Sequence, residues 1–358
     1  MELKQAKQAV LEAARNLLSS NLVARTWGNI SCRVGEESFL ITPSGKAYEH
    51  LSEDQLVLVS LSDLSYSGSI KPSSEKGMHA SVYRNKPAVQ CVLHTHQEMA
   101  SLASLLGQSV SVPTAFQDIL GTSIPTASYG LPGTKRLHNN VTKVLQATSS
   151  SALLMACHGA LCFGPSMEAS FAIAQALEQA CKEAVYVHAP MIKALEGTSS
   201  IKLAAAISNT GNLEYGKTLD PTLQQLCAKL LTDKTDCNTI LLLISQEVLA
   251  VMDMVPRLAA YLDDFAQIAA PSLAVMHQNA PVSKLLGKAK HCDALLMKGV
   301  GALCMGNSES EAHAVATLVQ KNCKAEVLHL ADLRVRHITW LDARLMRYVY
   351  KQKYSKLA

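Results

Sequence analysis

The sequence lacks the features that would direct it to a membrane, a secretory route or a nucleic acid. It has no run of about 18 apolar residues, and the segment after Met1 mixes charged with apolar side chains, unlike a signal peptide. It has no block of about five like charges, and its net charge is only +4, so neither nucleic acid nor a membrane surface is expected as a partner. We therefore expect a cytoplasmic protein.

The ten cysteines form no CxxC pair. Most of them lie inside apolar runs, which is typical of buried reduced thiols and not of a disulfide framework. The chain has 358 residues, of which 48% are hydrophobic, and this is enough for two domains with packed cores.

Short apolar runs alternate with amphipathic segments in the first half of the chain. The apolar runs predict strands near residues 40, 58, 92 and 154, and helical spacing predicts helices over about 4–18 and 166–186. Strands and helices mixed in this way predict an α/β or α+β layered domain.

One pair of histidines ends an apolar strand candidate, in the sequence His94-Thr95-His96. Because side chains alternate between the two faces of a strand, His94 and His96 point the same way, as two ligands of one divalent metal would. The alternative interpretation is a pair of hydrogen-bonded histidines in the core.

An internal repeat bears on this choice. The segment 151–164 recurs as 293–306 with nine of fourteen positions identical, and the match continues ungapped to Cys181-Lys182 against Cys323-Lys324. Further upstream, 93–98 aligns with 242–247, and the same register carries 72–75 onto 221–224. No counterpart of residues 26–31 is recognisable, which predicts a truncated duplicate.

Four polar residues of the first half are lost in this alignment while the apolar pattern around them survives. His94 aligns with Leu243, His96 with Ser245, His158 with Val300 and Glu75 with Gln224. Since site residues drift and packing residues stay when a duplicate is relieved of function, the four are predicted to form one functional set. Three imidazoles and a carboxylate are ligands typical of zinc or a similar divalent ion.

Three turns carry donor groups that suit a phosphate, and they are Gly28-Asn29, Ser44-Gly45 and Ser73-Ser74. Ser73 or Ser74 is also predicted to cap a helix, which would place the third turn at a helix N-terminus. Ordinary turn formation or capping is the alternative for each of them. His79 is interpreted as a structural or supporting histidine outside the site.

Taken together, five motifs resemble the class II aldolase/adducin family, which includes fuculose- and rhamnulose-phosphate aldolases and ribulose-phosphate 4-epimerase. They occur in order between residues 5 and 190, as Thr26-x-Gly28-Asn29-x-Ser31, Ile41-Thr42-Pro43-Ser44-Gly45, Ser73-Ser74-Glu75, His94-Thr95-His96 and His158-Gly159.

The resemblance implies a three-layer α/β/α catalytic domain over residues 1–200 and a degenerate copy without metal ligands over 201–358. It implies that zinc, or another divalent metal, is held by His94, His96, His158 and Glu75. It also implies that the substrate phosphate is bound by Asn29, Ser44, Gly45, Ser73 and Ser74.

The implied activity is that of a class II, metal-dependent aldolase. Such a lyase reversibly cleaves a ketose 1-phosphate to dihydroxyacetone phosphate and an aldehyde through a metal-stabilised enediolate, with Glu75 as acid and base. Glu75 favours an aldolase, because the epimerases of the family carry an aspartate there. Fuculose-phosphate aldolase has a tyrosine in the loop that matches residues 113–120, and Asp118 is the candidate proton donor here.

Two rival functions follow from the same resemblance. One is a sugar-phosphate epimerase or dehydratase that uses the same metal site, and the other is a non-catalytic, adducin-like interaction protein. Single-domain members of the family form rings of four, so a homo-oligomer acting on a small sugar phosphate is expected.

Overall fold

The computed structural model describes residues 1–19, 28–46, 48–197, 199–207, 211–216 and 219–353. The chain forms two compact units, one centred on Met1–Val187 and the other on His188–Tyr350. The boundary comes before residue 200, because the short helix Pro190–Leu195 packs against helices of the second unit. None of the helices described here is both long and apolar enough to cross a membrane.

A seven-stranded sheet forms the centre of the first unit. The strands of this unit, including a separate pair made by β5 and β6, are β1 (Asn29–Val34), β2 (Ser38–Ile41), β3 (Val57–Ser60), β4 (Cys91–Thr95), β5 (Val110–Ser111), β6 (Ser123–Ile124), β7 (Thr126–Ala127), β8 (Ala152–Met155) and β9 (Gly159–Gly164). The order across the sheet is β3-β2-β1-β4-β9-β8-β7, and only β7 and β8 pair in parallel. β4 therefore lies in the middle, between β1 and β9.

Helices cover both faces of this sheet. They are α1 (Leu3–Ser19), α2 (Lys76–Asn85), α3 (Glu98–Ser104), α4 (Gln117–Leu120), α5 (Lys135–Ala147) and α6 (Met167–His188). Leu153 and Met155 of β8 share a core cluster with Met78 of α2 and Val141 of α5. Leu154 lies between Leu153 and Met155 and points to the opposite face of the sheet, where it is also fully buried. Helices therefore cover that face as well, and α3 contacts β8 and β9. The predicted α/β fold class is confirmed.

The predicted strands near residues 40, 58, 92 and 154 are β2, β3, β4 and β8. Several elements of the first unit are not predicted from the sequence, among them the strand β1 that carries Asn29, the strand β9 and the helix α5. β9 begins immediately after His158, between the strand predicted near residue 154 and the helix predicted over about 166–186. Helix α5 also escapes prediction, although its buried residues Leu137, Val141 and Leu145 recur at helical spacing behind a Thr134 cap.

The second unit contains another seven-stranded sheet. Its strands are β10 (Ser200–Ile207), β11 (Leu213–Tyr215), β12 (Thr239–Ile244), β13 (Arg257–Ala259), β14 (Ser272–His277), β15 (Ala294–Lys298) and β16 (Gly301–Gly306). Its helices are α7 (Pro190–Leu195), α8 (Pro221–Asp233), α9 (Gln246–Met254), α10 (Asp263–Ile268), α11 (Val282–Ala289), α12 (Glu309–Ala331) and α13 (Trp340–Lys353).

The two sheets have corresponding strand orders. The second sheet runs β11-β10-β12-β16-β15-β14-β13, so its first six strands correspond to β2-β1-β4-β9-β8-β7 of the first. The orientations agree as well, because β14 and β15 are parallel while the other matching neighbours are antiparallel. This agreement is consistent with a tandem duplication.

The predicted truncation of the duplicate is wrong for one strand. β10 occupies the place in the second sheet that β1 occupies in the first, although no sequence match to residues 26–31 is recognisable. Thr26 and Trp27 themselves lie outside the described residues. A strand can keep its place in a sheet with any alternating apolar pattern, so pairing survives where the sequence match is lost.

Candidate metal centre

Three histidines converge where the central strand β4 ends. His94 lies within β4, His96 follows it, and His158 lies in the turn between β8 and β9. The Nε2 atom of His94 is 3.0 Å from the Nε2 atoms of both His96 and His158. One ligand atom from each ring lies within 4.8 Å of the others, so this group can hold a metal ion. The alternation of strand side chains brings His94 and His96 together, and the β8–β9 turn adds His158.

The hydrogen bonding of His94 prepares its ring for a cation. Its Nδ1 atom lies 2.9 Å from the carbonyl oxygen of Ala160, which can only accept, so Nδ1 carries the proton. Burial lowers the pKa of His94 to about 3, so the ring is neutral near pH 7. The Nε2 atom therefore directs a lone pair into the cluster. A ring fixed in this tautomer by a backbone carbonyl is typical of metal-binding histidines.

Glu75 completes the cluster from the start of α2, where it is the N-cap residue. Its Oε1 atom lies 3.2 Å from His158 Nε2, and its Oε2 atom lies 3.3 Å from His94 Nε2. Burial acts to raise the pKa of Glu75, but the imidazoles of His94 and His158 and a hydrogen bond from Asn29 outweigh burial and hold the pKa well below its usual range. An ionised carboxylate thus faces the imidazole nitrogens. These ligand types fit zinc or a similar divalent ion.

Asn29 lies beside the cluster, with its amide engaged by other side chains. Its Nδ2 atom donates to Glu75 Oε2 over 2.7 Å, and its Oδ1 atom lies 2.5 Å from His79 Nε2. The residue is only 5% exposed. The structure therefore places this candidate phosphate ligand on the carboxylate of Glu75, and it brings in His79, which the sequence interpretation left outside the site.

The other candidate phosphate ligands lie on two adjoining turns, and they are Ser44, Gly45, Ser73 and Ser74. The amide of Ser44 donates to the carbonyl oxygen of Lys71, and the amide of Ser73 donates to that of Thr42, so backbone hydrogen bonds hold the two turns side by side. Ser73 does not cap α2 as predicted. Its hydroxyl oxygen accepts from the amide of Glu75, which is itself the N-cap residue.

Asp118 is not part of this arrangement. It lies in the short helix α4 with an exposed side chain. In the part of the chain that the structure describes, it makes no hydrogen bond or ion pair to Glu75 or to the three histidines. Its assignment as a proton donor stays a prediction.

The strand register of the second sheet corrects the residues that match the histidines. His94 pairs with Leu161 across β4 and β9, and Leu242 pairs with Leu303 across β12 and β16. Leu161 and Leu303 occupy equivalent positions in the repeat, so the counterpart of His94 is Leu242, one residue before the predicted Leu243. The similar pairs Gln97-Glu98 and Gln246-Glu247 explain the error, because aligning them shifts the strand by one residue and reverses its faces.

The same correction changes two further counterparts. His96 lies two residues after His94, and Ile244 lies two residues after the equivalent Leu242. His96 therefore corresponds to Ile244 and not to Ser245. Helices α2 and α8 end in matching caps, in which the amides of Lys86 and Lys234 each donate to the carbonyl oxygen four residues earlier. Lys86 and Lys234 are therefore equivalent. Counting back from them, Glu75 corresponds to Leu223 and not to Gln224. The counterpart of His158 is still Val300, because each donates its amide to the methionine three residues before it. All four counterparts are therefore apolar.

Cys157, directly before His158, has an unfavourable backbone conformation. Its φ is 64°, a left-handed value that costs a residue with a Cβ atom about 1–2 kcal/mol. The equivalent turn of the second unit has Gly299 with φ of 79°. We expect Cys157→Gly to raise the free energy of unfolding by about 0.5–1 kcal/mol, after allowing for the greater chain entropy of glycine. Urea denaturation of the metal-free protein measures the change.

The reciprocal exchange in the second unit is the matched control. Gly299→Cys is expected to lower stability, since a Cβ atom there would have a left-handed φ and lie 3.2 Å from Gln278 Oε1. Equal stability of both variants and the wild-type protein would contradict the assignment of strain to Cys157.

A family model matches the first half of the chain. Residues 8–185 match the family model described as the class II aldolase and adducin N-terminal domain. A 5-deoxy-D-ribulose 1-phosphate aldolase of Bacillus thuringiensis serovar kurstaki is 27% identical over 179 residues, which cover 50% of this chain and 83% of that protein. An L-fuculose phosphate aldolase of Escherichia coli K12 is 28% identical over 179 residues, covering 50% and 81%. A solved L-fuculose 1-phosphate aldolase aligns with a TM-score of 0.48 and 25% identity, covering 54% of this chain and 88% of that one.

Proposed function

Since residues 8–185 place the chain in the family of class II aldolase and adducin N-terminal domains, we propose that it is a zinc-dependent sugar-phosphate aldolase. It would cleave a ketose 1-phosphate reversibly to dihydroxyacetone phosphate and an aldehyde. The observation that carries the proposal is the convergence of His94, His96 and His158 with the ionised carboxylate of Glu75. Both curated relatives named above are aldolases of sugar phosphates, which supports this substrate class.

The three imidazoles, with Glu75, would hold the metal. A bound divalent ion supplies positive charge that stabilises the negative charge developing on the substrate oxygens as the carbon–carbon bond breaks. Zinc is proposed because, once Glu75 has left the resting metal to act as acid and base, three protein nitrogens would leave a position open for substrate, as in catalytic zinc sites. Glu75 moves the proton between a substrate hydroxyl group and the carbon released by the cleavage. Its low pKa keeps the carboxylate ionised near neutral pH.

The substrate phosphate would be held at the adjoining turns. Ser44, Ser73 and Ser74 offer hydroxyl groups there, next to the N-terminus of α2, and the backbone N–H groups would come from Gly45 and Ser74, since those of Ser44 and Ser73 bond the carbonyl oxygens of Lys71 and Thr42. Asn29 would contribute through the amide hydrogen that does not bond to Glu75. The proposal keeps the expected cytoplasmic location and homo-oligomer, and it treats the second unit as a metal-free pseudo-domain.

Aldol cleavage of several ketose 1-phosphates tests the proposal, with release of dihydroxyacetone phosphate as the readout. At least one substrate is expected to release it, the rate should fall after treatment with a chelator, and zinc should restore it. Products that retain all their carbon atoms would favour the epimerase or dehydratase. No reaction across the panel, or a rate that the chelator leaves unchanged, would contradict a metal-dependent aldolase.

A further inference from the structure

A continuous row of buried hydrogen bonds runs from the interior of the first unit to Glu75. Tyr83 Oη lies 2.7 Å from Ser31 Oγ, and Ser31 Oγ lies 2.6 Å from His79 Nδ1. His79 Nε2 lies 2.5 Å from Asn29 Oδ1, and Asn29 Nδ2 lies 2.7 Å from Glu75 Oε2. The first three residues are at most 1% exposed and Asn29 is 5% exposed. Solvent therefore has little access to this row, which joins α2 to β1.

The chemistry of each group sets the direction of the row. The carboxylate of Glu75 only accepts, so Asn29 presents its NH₂ group to Glu75 and its oxygen to His79. That oxygen only accepts, so the proton of His79 is on Nε2. Burial lowers the pKa of His79 to about 4, so the ring is neutral and its Nδ1 atom accepts from the hydroxyl group of Ser31. Ser31 in turn accepts from Tyr83, so every donor points towards Glu75.

The second unit forms the same sheet without this row. From the matching helix caps, His79 corresponds to Cys227 and Tyr83 to Leu231, both of which are buried. From the strand pairs, Ser31 corresponds to Ala205, because Val92 and Ile240 are their equivalent partners. The whole row is absent together with the metal-ligand candidates, so the sheet and its helices do not need it in order to fold.

We propose that His79, Ser31 and Tyr83 are positioning residues that act through Asn29 to hold the carboxylate of Glu75 in one orientation. This inference rests on the proposed function. A buried amide can rotate, and Asn29 is held by His79 on the side opposite Glu75, so loss of His79 frees the amide to turn its donor away from the carboxylate. Outer partners of this kind alter activity by about 10–100-fold.

A matched set of variants tests the inference on the full chain. His79→Leu is expected to lower kcat about 10–100-fold, with KM changed less than about threefold. His79→Gln can still donate to Asn29 and is expected to recover most of that loss. Tyr83→Phe removes only the far end of the row and should lower kcat by a smaller factor. The control is Ser81→Ala, since this hydroxyl group of α2 bonds His138 and Thr142 and should leave kcat unchanged.

A second measurement does not depend on activity. In the metal-free wild-type protein, ¹⁵N spectra of the imidazole rings are expected to show His79 protonated on Nε2 and not on Nδ1. The opposite tautomer would overturn the inference, as would an active wild-type protein whose His79→Leu variant retains its kcat. Failure of the proposed function would instead appear as a wild-type protein that releases no dihydroxyacetone phosphate, whatever the tautomer of His79.

Discussion

A His94→Ala variant is expected to bind zinc at least about 100-fold more weakly than the wild-type protein and to lose aldol cleavage in parallel. This factor is a lower bound, because losing an outer partner of a ligand already costs up to about 100-fold. His94 is the central ring of the cluster, with its Nε2 atom 3.0 Å from that of each of the other two histidines. It is also the ring whose tautomer is fixed by a backbone carbonyl.

Equilibrium dialysis against buffered zinc, followed by metal analysis of the protein, measures this affinity. The control is His313→Ala, which removes a half-exposed histidine from helix α12 of the second unit. The control variant should keep the wild-type affinity. Unchanged zinc binding by His94→Ala would contradict the assignment of the cluster as the metal centre.

A Glu75→Gln variant is expected to lower kcat by about 10²–10⁴-fold, the range for losing a group that transfers protons. Glutamine keeps the size of the side chain and an oxygen that can accept from Asn29, but it cannot take up a proton. The three imidazoles stay in place, so zinc should still bind, but with lower affinity because a charged carboxylate ligand is lost. Steady-state kinetics on zinc-loaded protein, with metal content measured on the same sample, separate the two effects.

The matched control for this variant is Glu247→Gln, which replaces another buried carboxylate in the second unit, 3.8 Å from Lys324. It is expected to change stability and to leave kcat within about twofold of the wild-type value, because it touches none of the reacting groups. If Glu75→Gln kept its full kcat, Glu75 would not be the proton-transfer group.

The central strand and its two histidines could be predicted because strand geometry is local. Alternation along β4 is enough to turn His94 and His96 the same way. His158 and Glu75 lie far from them in the sequence, so spacing could not join them, and only the repeat and the family resemblance grouped all four. The repeat did so although its predicted register was one residue off, because the true counterparts Leu242, Ile244 and Leu223 are also without ligand groups.

The contacts that could not be predicted are those set by packing between distant elements. Asn29 and His79 are 50 residues apart, and they meet because β1 pairs with β4 while α2 packs nearby. The Gly28-Asn29 turn is compatible with a phosphate site, and it is equally compatible with a hydrogen bond from Asn29 that supports Glu75. Only the register of β1 distinguishes these two roles. The exposure of Asp118 could not be predicted from the sequence either, because the exposure of a short helix depends on the elements that pack around it.

The most direct test of the central claim is anomalous X-ray diffraction at the zinc edge from crystals of the zinc-loaded wild-type protein. A single metal bonded to the Nε2 atoms of His94, His96 and His158 is expected in each chain, with none at Leu242, Ile244 and Val300 of the second sheet. A crystal with no metal at the three histidines, or with a metal bound only in the second unit, would contradict a catalytic metal centre in the first.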